Sequence, residues 1–334
     1  MMLKWNLKED IMMVIGMLVL FVFVVWFMVS QPTFTTQSSN TQIKYIKGEN
    51  LKEHVYTIVE KFNDRVYSNI EMLDATAEYI HNEFSKYSAD VSYQTYDLKE
   101  FVDNEVFEYK NVIVNFKGRE SCSDGLLIVG GHYDTFGGHA GANDNTSAVS
   151  ALLELARVLK ANPPKCDVQL VAYTLEEPPA FGTTKMGSYV HAKHLKEQGT
   201  KVKLAILLDM IGFYNDEPNS QVYPVPFMNL YYPTKANFIS IVSDFSNILE
   251  VREAKNVFKE SSDLPVYSIN APAMIPGIDF SDHRNYWKFD YPALMITDTA
   301  FYRSSNYHTK HDTPDTLNYE KMAKVVEGVY NMIK

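Results

Sequence analysis

The chain has 334 residues, with 31 Lys and Arg against 41 Asp and Glu, for a formal charge of −10. A share of 46% hydrophobic and 22% charged residues is a globular balance and excludes wholesale disorder. The acidity and the lack of a Lys/Arg cluster exclude nucleic acid as a partner, and two cysteines are too few for a disulfide scaffold or a Cys-built zinc site.

Ile11 to Ser30 carries no charge. As a helix it would span roughly 30 Å, the thickness of a bilayer's hydrocarbon core. A buried core helix would show polar periodicity, and a cleaved signal peptide would have a shorter apolar run and a small-residue cleavage site. Neither is seen, so residues 11–30 read as an uncleaved transmembrane anchor. Lys4 and Lys8 precede the span, and acidic residues count little for orientation, so residues 1–10 are expected in the cytoplasm and the rest outside it, periplasmic or extracellular. Residues 31–50, rich in Ser, Thr, Gln and Asn, read as a flexible stalk.

Residues 51–334 read as one domain. Leu51–Phe62 and Ile70–Phe84 have apolar residues at helical spacing, and Val91–Leu98 and Phe107–Phe116 alternate as strands. Gly125–Gly130 is a short apolar run, as expected of a strand buried on both faces. A helix at Ser147–Leu159, a strand at Val168–Thr174, a helix at Lys185–Lys196 and a strand at Val202–Leu208 continue the alternation. Pro292–Ile296 reads as a late strand and Tyr319–Ile333 as a closing helix. This order predicts a three-layer α/β/α sandwich with a mixed, mostly parallel sheet behind one N-terminal transmembrane helix.

Histidines and acids fall at the predicted strand ends: His132 after the first buried strand, Asp144 before a helix, Glu176 and Glu177 after the next strand, Asp209 after the third, and His308 after the late strand. In an open parallel sheet the crevice at the carboxyl ends of the strands is the usual ligand site. Each residue alone reads equally as a cap, a turn or a solvated loop residue. Together they supply imidazole nitrogen and carboxylate oxygen for a pair of zinc ions, with cobalt or manganese as substitutes.

The ordered motifs Gly-Gly-His132-Tyr-Asp134, Gly-Ala-Asn-Asp144-Asn, Leu-Glu176-Glu177, Leu-Leu-Asp209 and Tyr-His308-Thr resemble the co-catalytic zinc aminopeptidase family. That family includes bacterial leucyl aminopeptidases, aminopeptidase Y, glutamate carboxypeptidase and the glutaminyl cyclases, and the resemblance runs from about Asn111 to the C-terminus. It implies that His132 and Asp209 bind one zinc, Glu177 and His308 the other, and that Asp144 bridges. It implies further that Asp134 orients His132, and that Glu176 is the general base for a metal-activated water attacking an N-terminal peptide bond.

The alternatives on this scaffold are a carboxypeptidase or dipeptidase, a glutaminyl cyclase, or a non-catalytic receptor-like ectodomain. The complete ligand set speaks against the last. Family members often have Gly before the Glu pair, where this chain has Leu175, and Pro178-Pro179 follows, leaving substrate preference open. His283 in Ser281-Asp282-His283, Tyr302 and Arg303 read either as substrate-pocket residues or as loop packing. His191 and His194, beside Lys193 and Lys196, read as solvated surface. His139 could touch substrate, and His311 reads as a loop residue. Cys122 and Cys166 each precede a predicted parallel strand; a disulfide is possible if those strands are neighbours.

Overall fold

A computed structural model of the chain describes residues 7–98 and 106–334, so the N-terminal residues before Leu7, part of the expected cytoplasmic segment, lie outside the described residues. Helix α1 (Leu7–Ser30) contains the uncharged run, and within it Asp10–Ser30 is long and apolar enough to cross a membrane. The polar segment that follows is not the free stalk its composition predicts. Ser38 N donates to Lys259 O, the Gln37 amide donates to Ser262 O and Leu264 O, and Tyr45 N and Ile46 N donate to Glu327. Ser and Gln here satisfy backbone groups of the domain, which composition alone does not reveal.

Helix α2 (Gly48–Lys61) buries Leu51, Val55 and Ile58 on one stripe. Asn69 caps α3 (Ile70–Ser85) by accepting from Met72 N, and Leu73, Ala77, Ile80 and Phe84 form its buried face. Strands β1 (Val91–Leu98) and β2 (Phe107–Phe116) pair antiparallel. Strands β3 (Leu126–His132), β4 (Val168–Tyr173), β5 (Val202–Leu208) and β8 (Ala293–Thr297) form the parallel centre. Strand β6 (Ile239–Ser243), antiparallel to β8, and the edge strand β7 (Val266–Asn270) complete the order β1-β2-β4-β3-β5-β8-β6-β7.

Side chains alternate faces along each strand, as a period of two requires. Leu127, Val129, Leu170, Ile206, Leu208 and Ile296 point to a large core shared with α2, α3, α4 (Ser147–Ala161), α6 (Ile248–Ser261) and α8 (Tyr319–Ile333). Ile128, Val171, Ala205 and Ala293 point to a smaller one under α5 (Gly187–Glu197) and α7 (His283–Trp287). The sheet is therefore sandwiched between helical layers, and the carboxyl ends of β3, β4, β5 and β8 share one edge. The strand order reverses beside β3, whose neighbours are β4 and β5, and this is where a crevice opens.

At the opposite edge Cys122 and Cys166, just before the neighbouring strands β3 and β4, form a disulfide with their Cα atoms 5.5 Å apart. We expect the native chain, treated with a thiol reagent, to take up no label until it is reduced. Labelling of both cysteines without reductant would refute the bridge.

Candidate metal centre

His132 is the last residue of β3, and its Nδ1 lies 3.1 Å from Asp134 O and 3.4 Å from Asp134 Oδ1. The Asp134 carboxylate also accepts from Glu176 N and Glu177 N, both at 3.0 Å. One side chain thus fixes the imidazole and the loop carrying both glutamates. Leu175, where relatives often have Gly, is in the left-handed region at φ 58° and fully buried, so burial offsets the ~1–2 kcal/mol that a side chain costs in that conformation.

Asp144 lies in a tight turn, Ala142–Thr146, leading into α4, and its peptide to Asn145 is cis. The flanking asparagines latch this turn to the end of β5. Asn145 donates to Leu208 O and accepts from Met210 N, while Asn143 accepts from Gly212 N and donates to Asp298. Asp312 accepts from the backbone N–H groups of Asn143 and Asp144, at 2.8 and 3.0 Å. Arg65 is wholly buried and donates to Tyr133 O, Phe62 O, Ala140 O, Gly141 O and Thr146 Oγ1, tying β3, the glycine-rich loop and the turn together.

Three overlapping donor sets result: His132, Asp144 and Asp209; Asp144, Glu177 and His308; and His132, Glu176 and Glu177, each with one ligand atom per residue within 4.8 Å of the others. His132 Nε2 lies 3.4 Å from Asp144 Oδ1 and 4.0 Å from Asp209 Oδ2. His308 Nε2 lies 3.1 Å from Asp144 Oδ2 and 3.3 Å from Glu177 Oε1. The His308 ring is stacked between Phe136 and Tyr307, with centroids at 4.0 and 3.7 Å. Glu176 Oε2 stands 3.9 Å from His132 Nε2.

These residues fit a pair of divalent cations. His132 Nε2 and Glu177 Oε1 are buried without a hydrogen-bond partner, and an unpaired buried polar atom is costly unless something else coordinates it. The electrostatics agree with that fit. Burial pushes Asp209 up to about 8 and Glu177 up to about 7, and burial likewise raises Glu176 well above the usual carboxylate range. Burial would lower His132, but Glu176, Asp134 and Asp144 outweigh it and hold the imidazole well above its ordinary value. His308 goes to about 9 because the neighbouring Asp144 and Glu177 carboxylates outweigh the opposing effect of burial. Carboxylates that resist ionising and imidazoles that hold protons are what a cation site looks like with protons in the cation's place.

Over these groups lies a cavity walled by Phe181, Tyr223, Met228, Ile278, Phe301 and Tyr302. Among the described residues no Lys or Arg lines it. Of the three residues weighed for the pocket, Tyr302 lines it. His283 does not: its Nε2 meets Ile278 O at 2.7 Å and its ring packs edge-on against Trp287. Arg303 does not either, being buried over Phe238 and bonded to Gln221, Thr299 and Phe238 O. His191 is not solvated, as its neighbours implied; it is buried, with Nδ1 2.8 Å from Tyr286 Oη, while His194 is exposed. His139 and His311 lie outside the cavity wall.

A family model described as Peptidase family M28 matches residues 111–333. The uncharacterized protein YfbL of Escherichia coli K12 is 41% identical over 96% of this chain and 98% of its own length. Two crystal structures from Bacteroides thetaiotaomicron are similar at 18% identity. One is of a leucine aminopeptidase precursor, with TM-score 0.65 over 87% of this chain and 98% of that one. The other is of a glutaminyl cyclase, with TM-score 0.62 over 87% of this chain and 99% of that one. At that identity the likeness is one of fold.

Proposed function

The chain belongs to peptidase family M28, and from that membership we propose that it is a membrane-anchored, zinc-dependent aminopeptidase whose catalytic domain lies outside the cytoplasm. The observation that carries the reading is the two donor sets that share Asp144, with Glu176 beside them, 3.9 Å from His132 Nε2. His132 and Asp209 would hold one zinc, Glu177 and His308 the other, and Asp144 would bridge them. Zinc bound there supplies Lewis acidity toward a carbonyl oxygen and acidifies a water to a pKa of about 7.

The chain's own residues do the rest. Glu176, buried beside the donor sets, would take the proton of the attacking water and deliver it to the leaving amine. Asp134 keeps His132 and the backbone of Glu176 in place through that exchange. A wall without Lys or Arg offers no partner to a C-terminal carboxylate. Phe181, Tyr223, Met228 and Phe301 favour a large apolar first side chain. The disulfide and α1 support an extracytoplasmic, membrane-held domain.

Zinc-loaded protein should release Leu or Phe from aminoacyl amides and short peptides, ignore the same peptides when N-acetylated, and be indifferent to C-terminal amidation. Dependence on a free C-terminus would replace this reading with a carboxypeptidase. Conversion of N-terminal glutamine to its cyclic lactam, with no peptide-bond cleavage, would replace it with a glutaminyl cyclase.

A further inference from the structure

The loop between β5 and β6 has no charged residue from Pro218 to Thr234. Tyr223, Met228 and Tyr232 on it face the cavity, yet Phe227 is 77% and Leu230 83% exposed, with Val222 and Tyr231 also outward. Large apolar side chains clustered on one loop mark a contact surface rather than scattered exposure.

The last turn of α1 fixes where this loop sits. Lys255 Nζ donates to Ser30 O at 2.8 Å and to Gln31 O at 3.2 Å, and Ser268 Oγ donates to Ser30 O at 2.9 Å. Arg252 bonds Gln31 and covers the Phe27 ring at 4.8 Å, as a cation at headgroup level would. Trp26, about 6 Å before Ser30 along the helix, packs edge-on against Tyr231 at 5.8 Å. The loop tip is therefore level with the outer turn of the membrane helix, and its apolar surface is continuous with that helix.

We propose that Val222–Tyr231 inserts into the outer surface of the bilayer that holds α1, so that the cavity behind it receives peptides tethered at that surface. The inference rests on the anchored aminopeptidase reading, and the measurements separate the two. The full chain is placed in phosphatidylcholine vesicles, as the unsubstituted form and as Phe227→Trp. The added emission should be quenched by lipids brominated near the headgroup. In parallel, Phe227→Asp with Leu230→Asp should leave hydrolysis of a soluble leucyl amide unchanged. The same variant should slow, several-fold, release of Leu from a peptide held to the vesicle by a C-terminal acyl chain.

Emission from position 227 that ignores the brominated lipid, in protein that stays in carbonate-washed vesicles, would overturn the insertion while leaving the anchor intact. A second copy covering the loop gives that same result. Equal rates on both substrates would overturn the tethered-substrate assignment, and release of the chain by carbonate would overturn the anchor and this inference together. Loss of the soluble activity in the unsubstituted chain would instead strike at the aminopeptidase reading.

Discussion

Glu176→Gln is expected to bind zinc in the same stoichiometry as the unsubstituted chain and to lose about 10²–10⁴-fold in kcat, the range that general acid–base catalysis supplies. The change is isosteric, and the loop's anchor is a main-chain contact: Glu176 N, not its side chain, is held by Asp134. The fold and the neighbouring Glu177 should therefore be undisturbed. What is lost is a carboxylate able to take and return a proton. Glu177→Gln makes the contrast, since it replaces a charged carboxylate 3.3 Å from His308 Nε2 with a neutral amide and should lower zinc content as well as rate. Metal analysis beside steady-state kinetics distinguishes them. Near-normal turnover in Glu176→Gln would remove the mechanism, and loss of zinc in that variant would move Glu176 from proton transfer to metal binding.

The parts of this architecture legible in the sequence are those whose physics is local. Strands β3, β4 and β5 are buried on both faces, so each is written as a nearly unbroken apolar run. The acids and histidines stand out because each follows such a run in order. Strands β6 and β7 escape notice because each is five residues long and interspersed with serine: Ser240, Ser243 and Ser268. Helix α6 lies between them with Val251, Ala254 and Phe258 buried, at helical spacing.

Other features depend on distant backbone and leave no local mark. Arg65 earns its burial from carbonyls of Phe62, Tyr133, Ala140 and Gly141 that meet only in the folded chain. Asp312 holds the turn at Asp144 from far along the sequence, through two N–H groups. The exposed Lys193 and Lys196 do not set the surroundings of His191. The stripe that decides its environment is Ser188, His191, Ala192 and Leu195, at helical spacing and all buried.

Removing metal should leave a site whose own contribution to stability falls as pH rises. In the metal-free site Asp209 titrates at about 8 and Glu177 at about 7, both raised by burial above their ordinary values. A raised acid binds its proton more tightly folded than unfolded. Its contribution is therefore full below about pH 4 and is lost as pH climbs through 7 and 8. His308, held at about 9 by Asp144 and Glu177 against burial, acts in the same direction, losing its contribution between about 6.5 and 9. Asp144 is depressed: burial would raise it, but bonds to His132 and His308 win, so its own loss of stability falls below the ordinary carboxylate range and outside this window.

The shifts of the metal-site groups Asp209, Glu177 and His308 thus point one way between pH 5 and 9, whereas His191 and His283, lowered by burial to about 3 and about 4, act oppositely up to about pH 6.5 whether or not metal is bound. Zinc should reverse the trend, because it takes the donor atoms that protons occupy and competes better as protons leave. At a thousand times its Kd a ligand stabilises by about 4 kcal/mol, or roughly 10 °C in Tm for a domain of this size. Thermal unfolding of chelator-treated and zinc-loaded full chain in detergent, at pH 5.5 and pH 8, checks this. The zinc-dependent rise in Tm should be small at the lower pH and about 10 °C at the higher. A rise of equal size at both would mean that the buried acids and His308 are not the groups that hold the metal.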